Sequence, residues 1–229
     1  MSAKITTVYE SIVEFYKTVI GPVVVESLRL LPDSMVLGTA IFTMLSGCIS
    51  YAVLLFTMVE LMLGQRVFSM VISGIAPIQG GTAYKQEVCQ PGLSFPNTMR
   101  ISLLEKIGTV SMFPSPTMFF LTGIISYIVA CIQNFSREIK TLGGNLSTRT
   151  TISAVMSSIF IFVILMFRYT YECESFSSLI VSLILGLVAG IAIMYQNLAL
   201  FGSSGINILN LPIIQPIGQG APMFVCASG

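Results

Sequence analysis

The 229-residue chain contains no histidine and no tryptophan, and only 9% of its residues are charged. Each shortage excludes something. Without imidazole there is no histidine base, nucleophile or metal ligand. Without tryptophan, anchoring at a membrane–water interface falls to tyrosine, lysine and arginine. A soluble domain carries about a quarter charged residues, so 9% is far below what a water-facing surface uses. The 11 basic and 10 acidic residues leave a net charge of +1 without a long basic cluster. No nucleic-acid partner is expected from such a balance. The cysteines, at positions 48, 89, 131, 173 and 226, lack zinc-ligand spacing, and no cofactor or metal is expected.

What the chain has is apolar sequence, 54% of it. A helix needs about 20 apolar residues to cross a bilayer. Four stretches meet that: Met35–Val59, 117–134, 151–168 and 177–196. The expected fold is all-α, a polytopic membrane helix bundle of about four spans with an N-terminal amphipathic helix and an irregular C-terminal tail. The chain divides into residues 1–34 (amphipathic, interfacial), 35–200 (transmembrane bundle, with an extramembrane loop over 78–116) and 201–229 (extended apolar tail). Membrane lipids are its first partners.

Over residues 6–20, Val8, Ile12, Phe15, Tyr16 and Val19 form one stripe of a helix, with Glu10, Glu14 and Lys17 on the other face. Such a helix either lies on the membrane or docks a partner, or packs as an ordinary surface helix; both readings stay open, since acidic charges do not favour anionic lipid. Gly21-Pro22 is expected to break it. Glu60 closes the first apolar run and reads as the end of that helix at the interface, the alternative being a buried functional acid. Val67–Pro77 is about half the length of a span and is not counted as one. Within the Gly- and Pro-rich loop, Ile101–Ile107 is expected to form a short helix. No charge follows Glu174, so the tail is expected to lie along the membrane or under a partner. Counting spans puts the loop ending at Pro116 and the 168–176 connector on one side. The N-terminus, the 136–150 connector and the tail then lie opposite.

Two segments on the shared side carry a motif. Phe113-Pro114-Ser115-Pro116-Thr117 immediately precedes a span, and Arg168 ends the next one, followed by Tyr-Thr-Tyr-Glu-Cys-Glu. In this order the chain resembles the type 2 phosphatidic acid phosphatases of membranes, over roughly residues 80–196. Members of that family place a Pro-Ser-Gly-His turn before one core helix, and an Arg with a His six residues on and an Asp ten residues on between the next two. Pro114, Ser115 and Arg168 match. Pro116 and Thr117 stand for Gly-His, Glu174 for the second His and Ser178 for the Asp, and the family's first motif is absent. Gly186 falls where a packing glycine recurs.

The resemblance therefore implies a fold without its chemistry. One histidine would attack phosphorus and another would serve as acid; losing the first removes the covalent route, and losing a positioned acid costs about 10²–10⁴ in rate. Cys173 is a poor substitute nucleophile, because Glu172 and Glu174 flank it and disfavour the thiolate. No enzymatic activity is expected. A vestigial phosphate or lipid-headgroup site at Ser115, Thr117 and Arg168 is one reading. The other has Arg168 at the interface paired with Glu172 or Glu174. Cys89 and Cys173 share a side and would form a disulfide if that side is oxidising, or stay as free thiols in a reducing compartment. Ser182, Gly186, Ala189 and Gly190 lie near one face of the last span and permit close helix packing.

As a small, histidine-free membrane protein with phosphatase-like positions and a tail running Asn207…Leu209-Asn210-Leu-Pro212 to Pro222-Met-Phe-Val-Cys226, the chain is similar to virion membrane proteins of large DNA viruses. That similarity implies a non-catalytic structural protein of a virion inner membrane, a minor capsid component. It would contact other membrane or capsid proteins through loop 78–116 and tail 201–229. The alternative is a phospholipid-binding or lipid-phosphatase-like protein. The structural reading predicts normal behaviour of Arg168→Ala; the lipid reading predicts a headgroup between Ser115 and Arg168, lost in the same variant.

Overall fold

Length and apolarity turn into five long helices. The computed structural model describes residues 14, 18, 20–75, 89–94, 100–103, 113–136, 139 and 144–209. Helices α1 (Gly21–Ser46) and α2 (Ile49–Ile75) come first. A two-residue antiparallel ladder follows, β1 (Leu93–Ser94) with β2 (Arg100–Ile101). Then come α3 (Pro116–Asn134), α4 (Gly144–Thr170) and α5 (Phe176–Gly205). All five helices contain a stretch long and apolar enough to cross a membrane. The chain is a polytopic helical membrane protein, as its composition predicts.

The count differs from four for a local reason. The expected single span over 35–59 is divided: Gly47 takes a left-handed conformation (φ 62°) and its N–H closes on the Thr43 carbonyl at 3.0 Å. The chain then reverses into α2. Hydropathy carries no sign of this turn, since the residues flanking Gly47-Cys48 are as apolar as the helices themselves. α1 begins at Gly21-Pro22, and proline is tolerated in a first turn, where its missing N–H has no partner to lose. α1 consequently runs straight through position 34.

The short apolar piece over 67–77 is, up to Ile75, the end of α2. Glu60 thus sits near the middle of a spanning helix rather than at its end, a correction that moves an ionisable side chain into the hydrocarbon. Within the expected 101–107 helix, Ile101 belongs to β2 and residues 104–107 lie outside the described residues. So do most of the 6–20 segment, most of loop 78–116 and the tail beyond residue 209.

Contacts set the direction of each helix. α3 and α5 run parallel: Ser115 meets Ser182, Gly186 lies against Phe119 and Thr122, and Gly190 lies against Gly123 and Ser126. A methyl group at Gly186 would fall 2.6 Å from the Phe119 carbonyl oxygen, so the two backbones touch directly. α2 runs the other way, with Gln65 at Pro114, Leu61 at Gly123 and Val53 near Gly205. α4 returns between α3 and α5. The side bearing Cys89, Pro114 and Cys173 is the loop side, and the far end of α5 marks the tail side. With five crossings, the Gly21 end of α1 falls on the loop side, not opposite it as four would require.

Candidate functional site

The phosphatase-like positions converge at the loop-side end of the bundle. Ser115 caps α3: its Oγ accepts from the Met118 N–H at 3.5 Å, with Pro116 in the first turn behind it. The Ser115 N–H donates to Ser182 Oγ, whose own proton goes to the Ser178 carbonyl at 2.6 Å. From α2, Gln65 Nε2 donates to the Pro114 carbonyl at 2.9 Å. Three helices thereby hold one turn.

Arg168 and Glu174 fill the centre. Arg168 Nε donates to Glu174 Oε2 at 2.8 Å and Nη2 to Oε1, a two-pronged ion pair. Ser115 Oγ donates to the same Glu174 Oε1 at 2.9 Å. Only 5% of the Arg168 side chain and 4% of the Glu174 side chain remain accessible. The backbone between them is held in a tight turn. Glu172 adopts φ 49°, its N–H donates to the Tyr169 carbonyl at 3.1 Å, and the Cys173 N–H donates to the Arg168 carbonyl at 2.9 Å. Cys173 is joined to Cys89 in a disulfide, so the long loop is covalently tied to the residue beside Glu174.

Of the three residues proposed for a headgroup, Ser115 and Arg168 come together, through Glu174. Thr117 is buried, but its Oγ1 has no hydrogen-bond partner and takes no part in the cluster. Among the two readings of Arg168, the geometry is that of pairing with Glu174. The Glu174 carboxylate takes up both donors of the Arg168 guanidinium that it meets, Nε and Nη2. Arg168→Ala therefore cannot separate a lipid site from a structural one, because it strands a buried carboxylate in either case. Gln65 and Ser182 belong to the cluster although no sequence motif marks them in this role.

A second polar group lies within the bundle. Gln196 Nε2 donates to Glu60 Oε1 at 2.7 Å, while Asn197 Nδ2 donates to Thr57 Oγ1 at 2.8 Å and to the Tyr127 hydroxyl at 3.3 Å. Thr57 and Glu60 are one turn apart on α2 and meet adjacent residues of α5. Sequence did carry a signal: Thr57 and Glu60, one helical turn apart, and the adjacent Gln196 and Asn197 are polar residues inside otherwise apolar stretches. Such groups pair across helices because hydrocarbon offers them nothing else. Among the described residues no three His, Cys, Asp or Glu side chains converge as a metal site would require.

Set against known protein families, curated proteins and solved structures, the chain matches none. The class defined by fold and site is a polytopic helical membrane protein with a buried Arg168–Glu174 ion pair at one end of its bundle.

Proposed function

We propose that this protein is a non-catalytic structural component of a membrane, linking the bilayer to an overlying protein layer. The observation that carries the reading is the Arg168–Glu174 pair. The cation that would hold a phosphate in a lipid phosphatase is satisfied internally, by a carboxylate that also accepts from Ser115. Opening that site to a substrate would require separating a buried, doubly hydrogen-bonded ion pair, which costs several kcal/mol. A scaffold role asks nothing of this cluster except rigidity, and the disulfide beside it serves the same end.

The loop over 78–116 and the charge-free tail from 201 are the segments available to a partner outside the bilayer. The resemblance of the chain to virion membrane proteins makes the shell of a large DNA virus the first partner to test. Lysine-directed crosslinking in intact membranes, through Lys85 and Lys106 of the loop, is expected to join the chain to a non-membrane protein. Crosslinks confined to the chain itself would overturn the reading. So would release of inorganic phosphate from phosphatidic acid by the purified protein in lipid nanodiscs.

A further inference from the structure

Each end of the bundle carries an oxidised cysteine. On the loop side Cys89 is bonded to Cys173, the residue next to Glu174. Cys48, in the turn between α1 and α2, is disulfide-bonded as well. Cys131 is a buried free thiol. Since Cys89 and Cys173 hold each other, Cys226 is the cysteine of the sequence left to pair with Cys48.

Cys48 belongs to the tail side. α2 starts at the next residue, and its Val53 lies near Gly205 at the far end of α5. Gln65 of the same helix reaches the Pro114 carbonyl on the loop side. From Ile49 to Gln65 the helix rises about 24 Å, most of the roughly 30 Å of a hydrocarbon core. The bond at Cys48 and the Cys89–Cys173 bond therefore sit on opposite faces of the bilayer. A cellular membrane has one face on the cytosol, where glutathione and thioredoxin keep thiols reduced. Inverting the chain in the bilayer changes which bond faces the cytosol, not that one does.

We propose that both faces of the membrane holding this chain become oxidising, and that a disulfide-donor protein makes the bond on the cytosolic face. The step is thiol–disulfide exchange. One cysteine thiolate of the chain attacks the donor's disulfide, forming a mixed disulfide and releasing one donor thiol. The second cysteine thiolate attacks the chain's sulfur in that mixed bond and expels the donor. The chain gains one S–S bond, and its two protons and two electrons end on the donor, now a dithiol. This inference does not depend on the function proposed above.

The test uses the full chain in its native membranes, lysed in N-ethylmaleimide so that no thiol oxidises afterwards. After blocking in denaturant, reduction and labelling with a polyethylene glycol maleimide, four mass steps are expected, from Cys48, Cys89, Cys173 and Cys226, with Cys131 already blocked. Two steps, with Cys48 carrying N-ethylmaleimide, would overturn the proposal. In sealed vesicles with the cytosolic face outward, a membrane-impermeant reductant is expected to free one pair and to reach the other only after permeabilisation. Release of both pairs from intact vesicles would place them on one face and overturn it as well. Replacing either cysteine of the pair reached first, Cys48→Ser or Cys226→Ser if that pair is on the tail side, removes a resolving thiol. One of the two variants is expected to accumulate a reductant-sensitive adduct with a second protein; no adduct from either would overturn the donor. The labelling and vesicle arms need no variant, so a misfolded Cys48→Ser protein leaves the proposal testable.

Discussion

α3 and α4 follow one another in the chain and both cross the hydrocarbon, yet 72% of the apolar window of α3 is buried against 17% of that of α4. The more exposed helix is also the more hydropathic of the two. In water that order would be reversed. A bilayer removes the penalty for exposing Ile152, Val155, Met156, Ile159, Phe162 and Val163 on α4, so apolarity no longer draws a side chain inward. What places α3 at the centre is small and polar: Thr122, Gly123 and Ser126 let α5 approach through Gly186 and Gly190 until the backbones meet. α4 is anchored chiefly at its end, where Arg168 is buried on Glu174.

The sharpest way to break this comparison is to cut that anchor. Arg168→Ala leaves Glu174 buried without its cation, and a loss of about 3–5 kcal/mol in detergent unfolding is expected. A loss below about 1 kcal/mol would mean that Glu174 reaches water without its partner. Replacing both residues, as in Arg168→Met with Glu174→Leu, should recover most of the stability, because no charge is then stranded.

On the α3 side, Gly190→Leu forces a side chain into the Gly123 and Ser126 backbone contact. A destabilisation of about 3 kcal/mol is expected, read as a lower Tm in the same detergent. Unchanged stability would show that α3 and α5 are not in direct contact.

Asn197→Ala removes the bonds to Thr57 and Tyr127 and should cost about 1 kcal/mol, in line with polar contacts between membrane helices. The smallest effect is expected on the lipid-facing side of α4, where Met156→Leu should stay within about 0.5 kcal/mol. A larger loss there would mean that another protein, not lipid, covers α4.

Class was legible in composition. So were the spans over 117–134, 151–168 and 177–196, because unbroken apolar length is itself the physical requirement for crossing, although the last helix runs on to Gly205 into what the sequence reads as tail. The division of 35–59 was not legible, since one glycine in a left-handed turn reverses the chain without changing its hydropathy. The same blind spot misplaced Glu60, whose depth follows from where a helix ends rather than from its neighbours in sequence. At the phosphatase-like positions the order of Ser115 and Arg168 could be read, and Glu174 was already one of two carboxylates within reach of the arginine. The participation of Gln65 and Ser182 could not be read, because nothing in either helix says which polar residue meets the Pro114–Ser115 turn until that turn is brought beside it.

Sequence alone determined that this chain belongs in a bilayer and that it has no imidazole for phosphoryl transfer. Both are properties of residue type and run length, which no arrangement alters. Tertiary structure alone decided which helix lies inside, which carboxylate takes Arg168, and which face of the bilayer each disulfide occupies. Those outcomes depend on contacts across tens of residues, and in hydrocarbon they are chosen by close packing and hydrogen bonding rather than by the apolar pattern that sequence displays.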